Sequence, residues 1–329
     1  MRIGIGLMGE FLSVRENVEY AKRAEDHGLS SAWITEHCYY RDAIVSATAI
    51  LAQTRRIDVG TSIVNPFTRH PALLGMTAAT LNEFSEGRFI LGLGLGIPLW
   101  NDEQMGIPMG SPNRSLREAS EITRLLLRGN TARVQGERFR AMDVKLGFDI
   151  AQKPARVYLA GVRPQLLRTA ARFGDGVILS ACSTVSYVRN SLPFIEQGLK
   201  ESGRSSVEVT CLAYLSISND SEKARRDIKP WLFTILMRPG REDLILSDNP
   251  KQQAKVKAAK EAKAEGDREN AMKLISDDIV DSISIVGNKE ECLESIDRYR
   301  GSGVTELVLV PVTPSLGLLE DLMSSLEQS

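Results

Sequence analysis

Short apolar runs alternate with helix-patterned segments along most of this chain. The runs at 3–8, 32–35, 59–64, 88–94, 157–160, 177–179, 207–217 and 307–312 predict strands. The segments 14–27, 43–53, 72–84, 116–127, 164–173, 185–200 and 318–326 predict helices; in the first, Val18, Ala21, Ala24 and Glu25 recur at turn spacing. Strands alternating with helices imply a parallel sheet. Eight such units predict an α/β fold, a closed (β/α)8 TIM barrel with its active site at the C-terminal ends of the strands. A doubly wound open sheet is the rival arrangement.

From Gly60 to Pro71 (GTSIVNPFTRHP) a β-branched run stops at a proline-flanked polar corner and leads into an apolar helix. Parallel α/β proteins present a ligand-facing edge by this construction. Two stretches break the rhythm: 131–154 is expected to hold a small hairpin, and 241–273 is rich in Lys, Ala and Glu. The latter reads as a solvated helix with interleaved charges, or alternatively as a lid or partner surface beside the barrel mouth. No linker divides the chain, so residues 1–329 are expected to form a single domain with a helical insertion near 241–275.

A net charge of -1 gives no electrostatic argument for nucleic acid or an acidic membrane surface. Cys38, Cys182, Cys211 and Cys292 are widely spaced, the pattern of reduced thiols rather than a disulfide frame. The first residues do not read as a signal peptide, and no apolar run approaches the ~18 residues of a membrane span. A cytoplasmic enzyme acting on a small molecule is the expectation.

The run AWITEH ends in Glu36 and His37. At a strand's C-terminal end these would border the pocket, where His37 could donate to a developing anion or exchange a proton. A structural hydrogen bond to a neighbouring loop fits that position equally well. His27 sits at a helix C-terminus, and His70 opens a helix. Three scattered histidines without paired cysteines predict no metal site. The run LGLGLG, ending at Gly96, lacks the spacing of a dinucleotide fingerprint and no P-loop follows. Its glycines would let a flat ligand lie against the backbone, or would serve tight packing. In LAGVRPQ, residues 159–165, a glycine turn leads to a proline at a helix start; free N–H groups there suit a phosphate, with Arg163 adding charge. No Ser-His-Asp order or Cys-His pair is present.

The stretches WITEH (33–37), GTSIVNPFTRHP (60–71), TLNEFSEGR (80–88) with the glycine run, and GVTE (303–306) resemble the luciferase-like flavin and deazaflavin oxidoreductases. The resemblance is closest to the branch of coenzyme F420-dependent methylenetetrahydromethanopterin reductase. It implies a barrel in which a non-prolyl cis peptide joins Ser62 and Ile63, with Ile63 propping a tricyclic ring. It further implies Glu36 and His37 beside the ring as catalytic residues, Asn65 at its edge, and Ala160, Gly161 and Val162 around the coenzyme phosphate. Hydride transfer between the deazaflavin and a small organic substrate, such as a methylene-tetrahydropterin, and a homodimer follow from the same likeness. An FMN-dependent monooxygenase is the alternative, and a non-catalytic flavin-binding barrel a third. Two positions depart from the branch: Gly6 stands where the methanopterin reductases carry a glutamate, with Glu10 displaced nearby. Ile97 replaces an acid after the glycine run, where Asn101, Asp102 or Glu103 are the substitutes at hand.

Overall fold

A computed structural model of the chain describes residues 1–313 and 315–326; Pro314 and residues 327–329 of the expected single domain lie outside the described residues. The strands are β1 (Arg2–Met8), β2 (Ser31–Thr35), β3 (Asp58–Thr61), β4 (Phe89–Leu93), β5 (Ala132–Gln135), β6 (Arg140–Val144), β7 (Arg156–Ala160), β8 (Gly176–Leu179), β9 (Glu208–Ile217), β10 (Ile285–Gly287) and β11 (Glu306–Pro311). All pairs in the main sheet are parallel, in the order β10-β9-β11-β1-β2-β3-β4-β7-β8, and a further β9–β8 pairing closes it. The result is a (β/α)8 barrel, and the open-sheet alternative is set aside.

The period-two alternation of strands separates two layers of core. Ile5, Leu7, Ala32, Ile34, Leu91, Leu93, Leu307 and Leu309 belong to the layer shared with the helices. Met8, Trp33, Ile90, Tyr158, Ile178, Leu212, Val308 and Val310 belong to the inner cluster. Trp33 and Tyr158 are fully buried. Trp33 has room because Gly60 faces it: a Cβ there would lie 2.5 Å from the indole.

The hairpin expected within 131–154 is present as antiparallel β5–β6. The third strand is shorter than the β-branched run suggests: β3 stops at Thr61, and Val64 resumes with a single bridge to Leu93. Between them the Ser62–Ile63 peptide is cis, and Ser62 N still donates to Ile34 O of β2 at 2.7 Å.

Three features escaped the sequence pattern. β10 extends the edge of β9 beyond β8 through Ile285–Gly287. The helices Ser221–Leu236 and Asp277–Ile283 flank the segment read as solvated. That segment forms the helices Arg241–Ile245, Pro250–Ala264 and Arg268–Leu274, and it is not polar all round. Ile245, Val256, Ala259, Ala262 and Ala271 are buried in the same cluster as Leu232, Leu236 and Ile279. Alanine supplies this face, and small side chains do not produce the strong periodicity that Leu or Ile would. Among the described residues no helix is long and apolar enough to cross a membrane, and no group of three or more side chains could hold a metal ion.

Candidate active site

A cavity of ≈ 830 Å³ opens at the C-terminal ends of the strands, lined from Thr35 at the end of β2 round to Tyr214 on β9 and Val310 on β11. Its size falls within the ~300–1,000 Å³ typical of small-molecule sites. Of the residues singled out from sequence, Glu36, His37, Ser62, Ile63, Gly96, Ala160, Gly161, Val162 and Arg163 all line it. Asn65 does not: it is buried, and its Oδ1 accepts from Phe67 N (3.1 Å), Thr68 N (3.0 Å) and Thr68 Oγ1 (3.2 Å). That turn fixes the polar corner after β3.

The cis Ser62–Ile63 bulge forms an apolar shelf beside the glycine run. Gly94 must lack a side chain there, because a Cβ would lie 2.6 Å from Ile63 Cγ1. Gly96 has φ +71°, a left-handed conformation that glycine adopts without steric cost. Across the cavity, Gly161 packs so close to the next helix that a Cβ would lie 2.8 Å from Leu166 C. Arg163 caps the helix Pro164–Phe173 without a side-chain cap bond, and Pro164, Gln165 and Leu166 of its first turn line the cavity. Uncapped N–H groups at a helix start suit an anion.

His37 is held at the mouth between Trp100 (ring centroids 5.1 Å) and Trp231 (6.2 Å). Trp100 lies on a π-helical turn, Leu99–Gln104. The Glu10 carboxylate lies against His37 Nδ1, with its side chain 7% exposed, and neither of its oxygens has a hydrogen bond to any other group. Burial and the Arg238 guanidinium push the imidazole down to about 4. Glu10 opposes this by favouring the protonated ring, yet it also accepts from a neutral Nδ1–H, so the contact does not require the charged form. In the uncharged form that burial favours, an Nδ1 proton facing Glu10 would leave Nε2 as a lone-pair acceptor.

Glu36 is engaged differently. Its Oε2 accepts from Arg69 Nη1 at 2.7 Å and its Oε1 from Ala43 N at 3.4 Å, while Arg69 Nη2 also donates to Asp42 at 2.5 Å. Arg69 thus ties the β2 loop to the β3 loop. His70 accepts from Ala72 N at 3.2 Å and caps its helix.

The structure also explains both departures from the methanopterin-reductase pattern. A Cβ at Gly6 would lie 2.5 Å from Val310 Cγ2, so the barrel interior has no space for an acid there. Glu10, in the turn after β1, brings the carboxylate to the mouth instead. After the glycine run, Asn101 is buried and donates to Leu95 O at 2.9 Å, while Asp102 and Glu103 are exposed and do not line the cavity. Arg238 and Arg241, which do line it, went unnoticed in the sequence because they adjoin a charge-rich segment.

An apolar shelf, glycine-lined walls and an uncapped helix start fit a planar ring carrying a phosphate. The Glu10 carboxylate stands behind His37, whose imidazole lines the same cavity.

Comparison with known proteins agrees with this geometry. The luciferase-like monooxygenase family profile matches residues 1–306. The 5,10-methylenetetrahydromethanopterin reductase of Archaeoglobus fulgidus is 30% identical over 312 residues, covering 94% of this chain and 92% of the relative. An F420-dependent glucose-6-phosphate dehydrogenase of Amycolatopsis mediterranei is 27% identical over 323 residues, covering 94% and 92%. The structure of the coenzyme F420-dependent tetrahydromethanopterin reductase of Methanopyrus kandleri superposes with a TM-score of 0.84 at 26% identity, covering 99% of this chain and 97% of that one.

Proposed function

Because the chain belongs to the luciferase-like monooxygenase family and aligns over nearly its whole length with methylenetetrahydromethanopterin reductases, we propose that it is a coenzyme F420-dependent oxidoreductase. Its substrate is a small organic molecule of the methylene-tetrahydropterin type. What supports the reading is that the Ser62–Ile63 bulge, the Gly161–Leu166 turn with its uncapped helix start, and His37 backed by Glu10 surround one cavity. The monooxygenases among the structural neighbours share the fold at 14–20% identity. The relatives at 30% identity are reductases.

When bound, the deazaflavin supplies a carbon centre that gives or takes a hydride. The chain's residues do the rest. Ser62, Ile63, Gly94 and Gly96 form the surface for the ring, and Ala160, Gly161, Val162 and Arg163 receive its phosphate. Trp100 and Trp231 exclude water at the mouth. His37 Nε2 accepts or returns a proton on the substrate as charge develops, and Glu10 orients the ring and steadies the imidazolium. Glu36 acts through Arg69 as a positioning residue.

A homodimer belongs to the same reading. Tyr39, Tyr40, Val45, Leu73 and Met76 are exposed on the β2 loop and on the two helices that follow β2 and β3. Arg69 draws these elements together. Equilibrium sedimentation should give twice the chain mass, and Leu73→Glu should return a monomer. A cytoplasmic setting is also part of it, in keeping with four free cysteines, three of them buried.

Separate titrations of the purified protein with F420 and FMN test the function, followed by anaerobic hydride exchange with methylene-tetrahydropterins. Tight F420 binding with substrate-dependent bleaching of the oxidised deazaflavin supports the reading. Preference for FMN with oxygen consumption would replace it with a monooxygenase.

A further inference from the structure

The helix Ser221–Leu236 ends at Met237, and the chain then turns through Pro239 and Gly240, the latter at φ +67°, before the helix Arg241–Ile245. This turn sets two guanidinium groups, Arg238 and Arg241, into the cavity wall. Neither forms an ion pair among the described residues. Arg241 Nη1 donates to Ser180 Oγ at 3.5 Å, and the Arg238 guanidinium makes no hydrogen bond.

The acids of the segment are committed elsewhere. Glu242 is buried and paired with Lys260, whose Nζ also donates to Arg238 O at 2.8 Å; Asp243 pairs with Lys257 at 3.0 Å. Tyr214 and Cys182, the polar neighbours of Arg238, are uncharged at neutral pH: burial pushes the Cys182 thiol up to about 12 and the Tyr214 phenol higher still. Burial lowers the affinity of Arg238 for its own proton, and the like charge of Arg241 adds to that. Two half-buried guanidinium groups in one cavity wall without a carboxylate partner are costly unless an anion joins them.

We propose that Arg238 and Arg241, with Ser180, form a seat for an oxyanion borne by the substrate, a phosphate or a carboxylate. The proposal rests on the deazaflavin-reductase reading and specifies its substrate class. The coenzyme phosphate already has a place on the Gly161–Leu166 loop with Arg163. Arg238 is near enough to His37 for its charge to act on the imidazole, while Gly240 of the same turn borders Arg163, so the F420 affinity of the arginine variants separates a substrate seat from an extension of the coenzyme site. An anion there would anchor the substrate beside the imidazole, and planar guanidinium donors suit oxyanions through paired hydrogen bonds.

The test uses F420-loaded protein at fixed ionic strength and pH 7, titrated calorimetrically with inorganic phosphate and separately with acetate. One probe should bind with a Kd of about 1 mM, and the stronger of the two identifies the source of the oxyanion. R238Q and R241Q should each weaken that Kd at least tenfold while F420 affinity stays within threefold. R238K, which keeps the charge but not the paired donors, should bind the probe more tightly than R238Q and more weakly than the wild type, and controls for misfolding. The seat is overturned if neither probe binds the loaded protein. It is overturned equally if R238Q weakens F420 tenfold or more, which would give the arginines to the cofactor. If F420 fails to bind the wild-type chain, the reductase reading falls by itself, and the same probes are titrated into the chain alone. Binding lost in R238Q but kept in R163Q upholds the seat, and any other pattern removes it.

Discussion

Two carboxylates are buried at opposite ends of one barrel, and they are treated oppositely. At the N-terminal end, Glu306 Oε1 accepts from Ser30 Oγ (2.8 Å) and Ser31 Oγ (2.7 Å), and Oε2 from Thr210 Oγ1 (3.2 Å). Ser31 in turn accepts from Trp33 Nε1 at 2.8 Å, so the network knits β1, β2, β9 and β11 beneath the largest interior side chain. At the C-terminal end, Glu10 is less deeply placed, yet its carboxylate oxygens are buried and His37 is their one polar partner among the described residues. A satisfied acid rigidifies; an orphaned one is available to a proton and a ligand. One end of the barrel is built for stability, and the other gives up stability to chemistry.

The largest test of that contrast is His37→Ala. If the C-terminal pair handles the substrate's proton, hydride transfer should fall about 10³-fold, roughly 4 kcal/mol, with F420 affinity nearly unchanged. Single-turnover kinetics with preloaded deazaflavin would read it. A drop under about tenfold would leave His37 as packing between two indoles.

Next in size is a pH effect on folding. His37 is held down to about 4 in the fold by burial and Arg238, against ~6.5 in an unfolded chain. The unfolded chain therefore takes up the extra proton first as pH falls. The stabilising contribution is complete above about pH 6.5 and is lost as pH drops toward 4, about 3 kcal/mol in all. Urea midpoints at pH 7 and pH 4.5 should converge more closely in His37→Gln than in the wild type. Equal pH slopes in the two proteins would mean that Glu10 keeps the ring charged.

The two ends also differed in legibility. The barrel follows from eight apolar runs, each long enough and regular enough to register, whereas three-residue β10 falls below any periodicity. Glu36 and His37 were visible because they end a strand pattern, and the cis bond at Ser62–Ile63 came from family likeness rather than from the residues. Glu10 lacked such a frame: it is a lone acid in a five-residue turn, and its partnership with His37 exists only once β1 and β2 lie side by side. Being the sole acid between the first strand and the first helix was the available signal. Arg238 and Arg241 were hidden for a different reason. Charge-rich sequence usually faces solvent, and only the burial of Ala259, Ala262 and Ala271 turns that segment inward.

Glu306→Ala addresses the other end. Removing the acceptor leaves Ser31 and Thr210 hydroxyls short of a partner in a dry interior, so unfolding free energy should drop by about 2 kcal/mol. The turnover of the folded fraction should match the wild type, since the change lies at the far end of the strands from the cavity. Denaturant unfolding paired with active-site titration separates the two quantities. A matching loss of turnover would mean that the lower network also shapes the mouth.

The smallest effect is the sharpest discriminator. Glu10→Gln keeps the side-chain shape, and its amide oxygen still accepts from a neutral His37 Nδ1–H, but the negative charge is gone. Turnover should fall about tenfold because the imidazolium formed during proton transfer loses its counter-charge. The acidic limb of the rate profile should move to lower pH, since Glu10 was the group that favoured the protonated ring. Stability should hold within about 0.5 kcal/mol or rise, because a buried anion with a single contact has been neutralised. If Glu10→Gln instead lowers stability by as much as Glu306→Ala while leaving the pH profile in place, both carboxylates serve the scaffold. The proton partner of His37 must then come from the substrate itself.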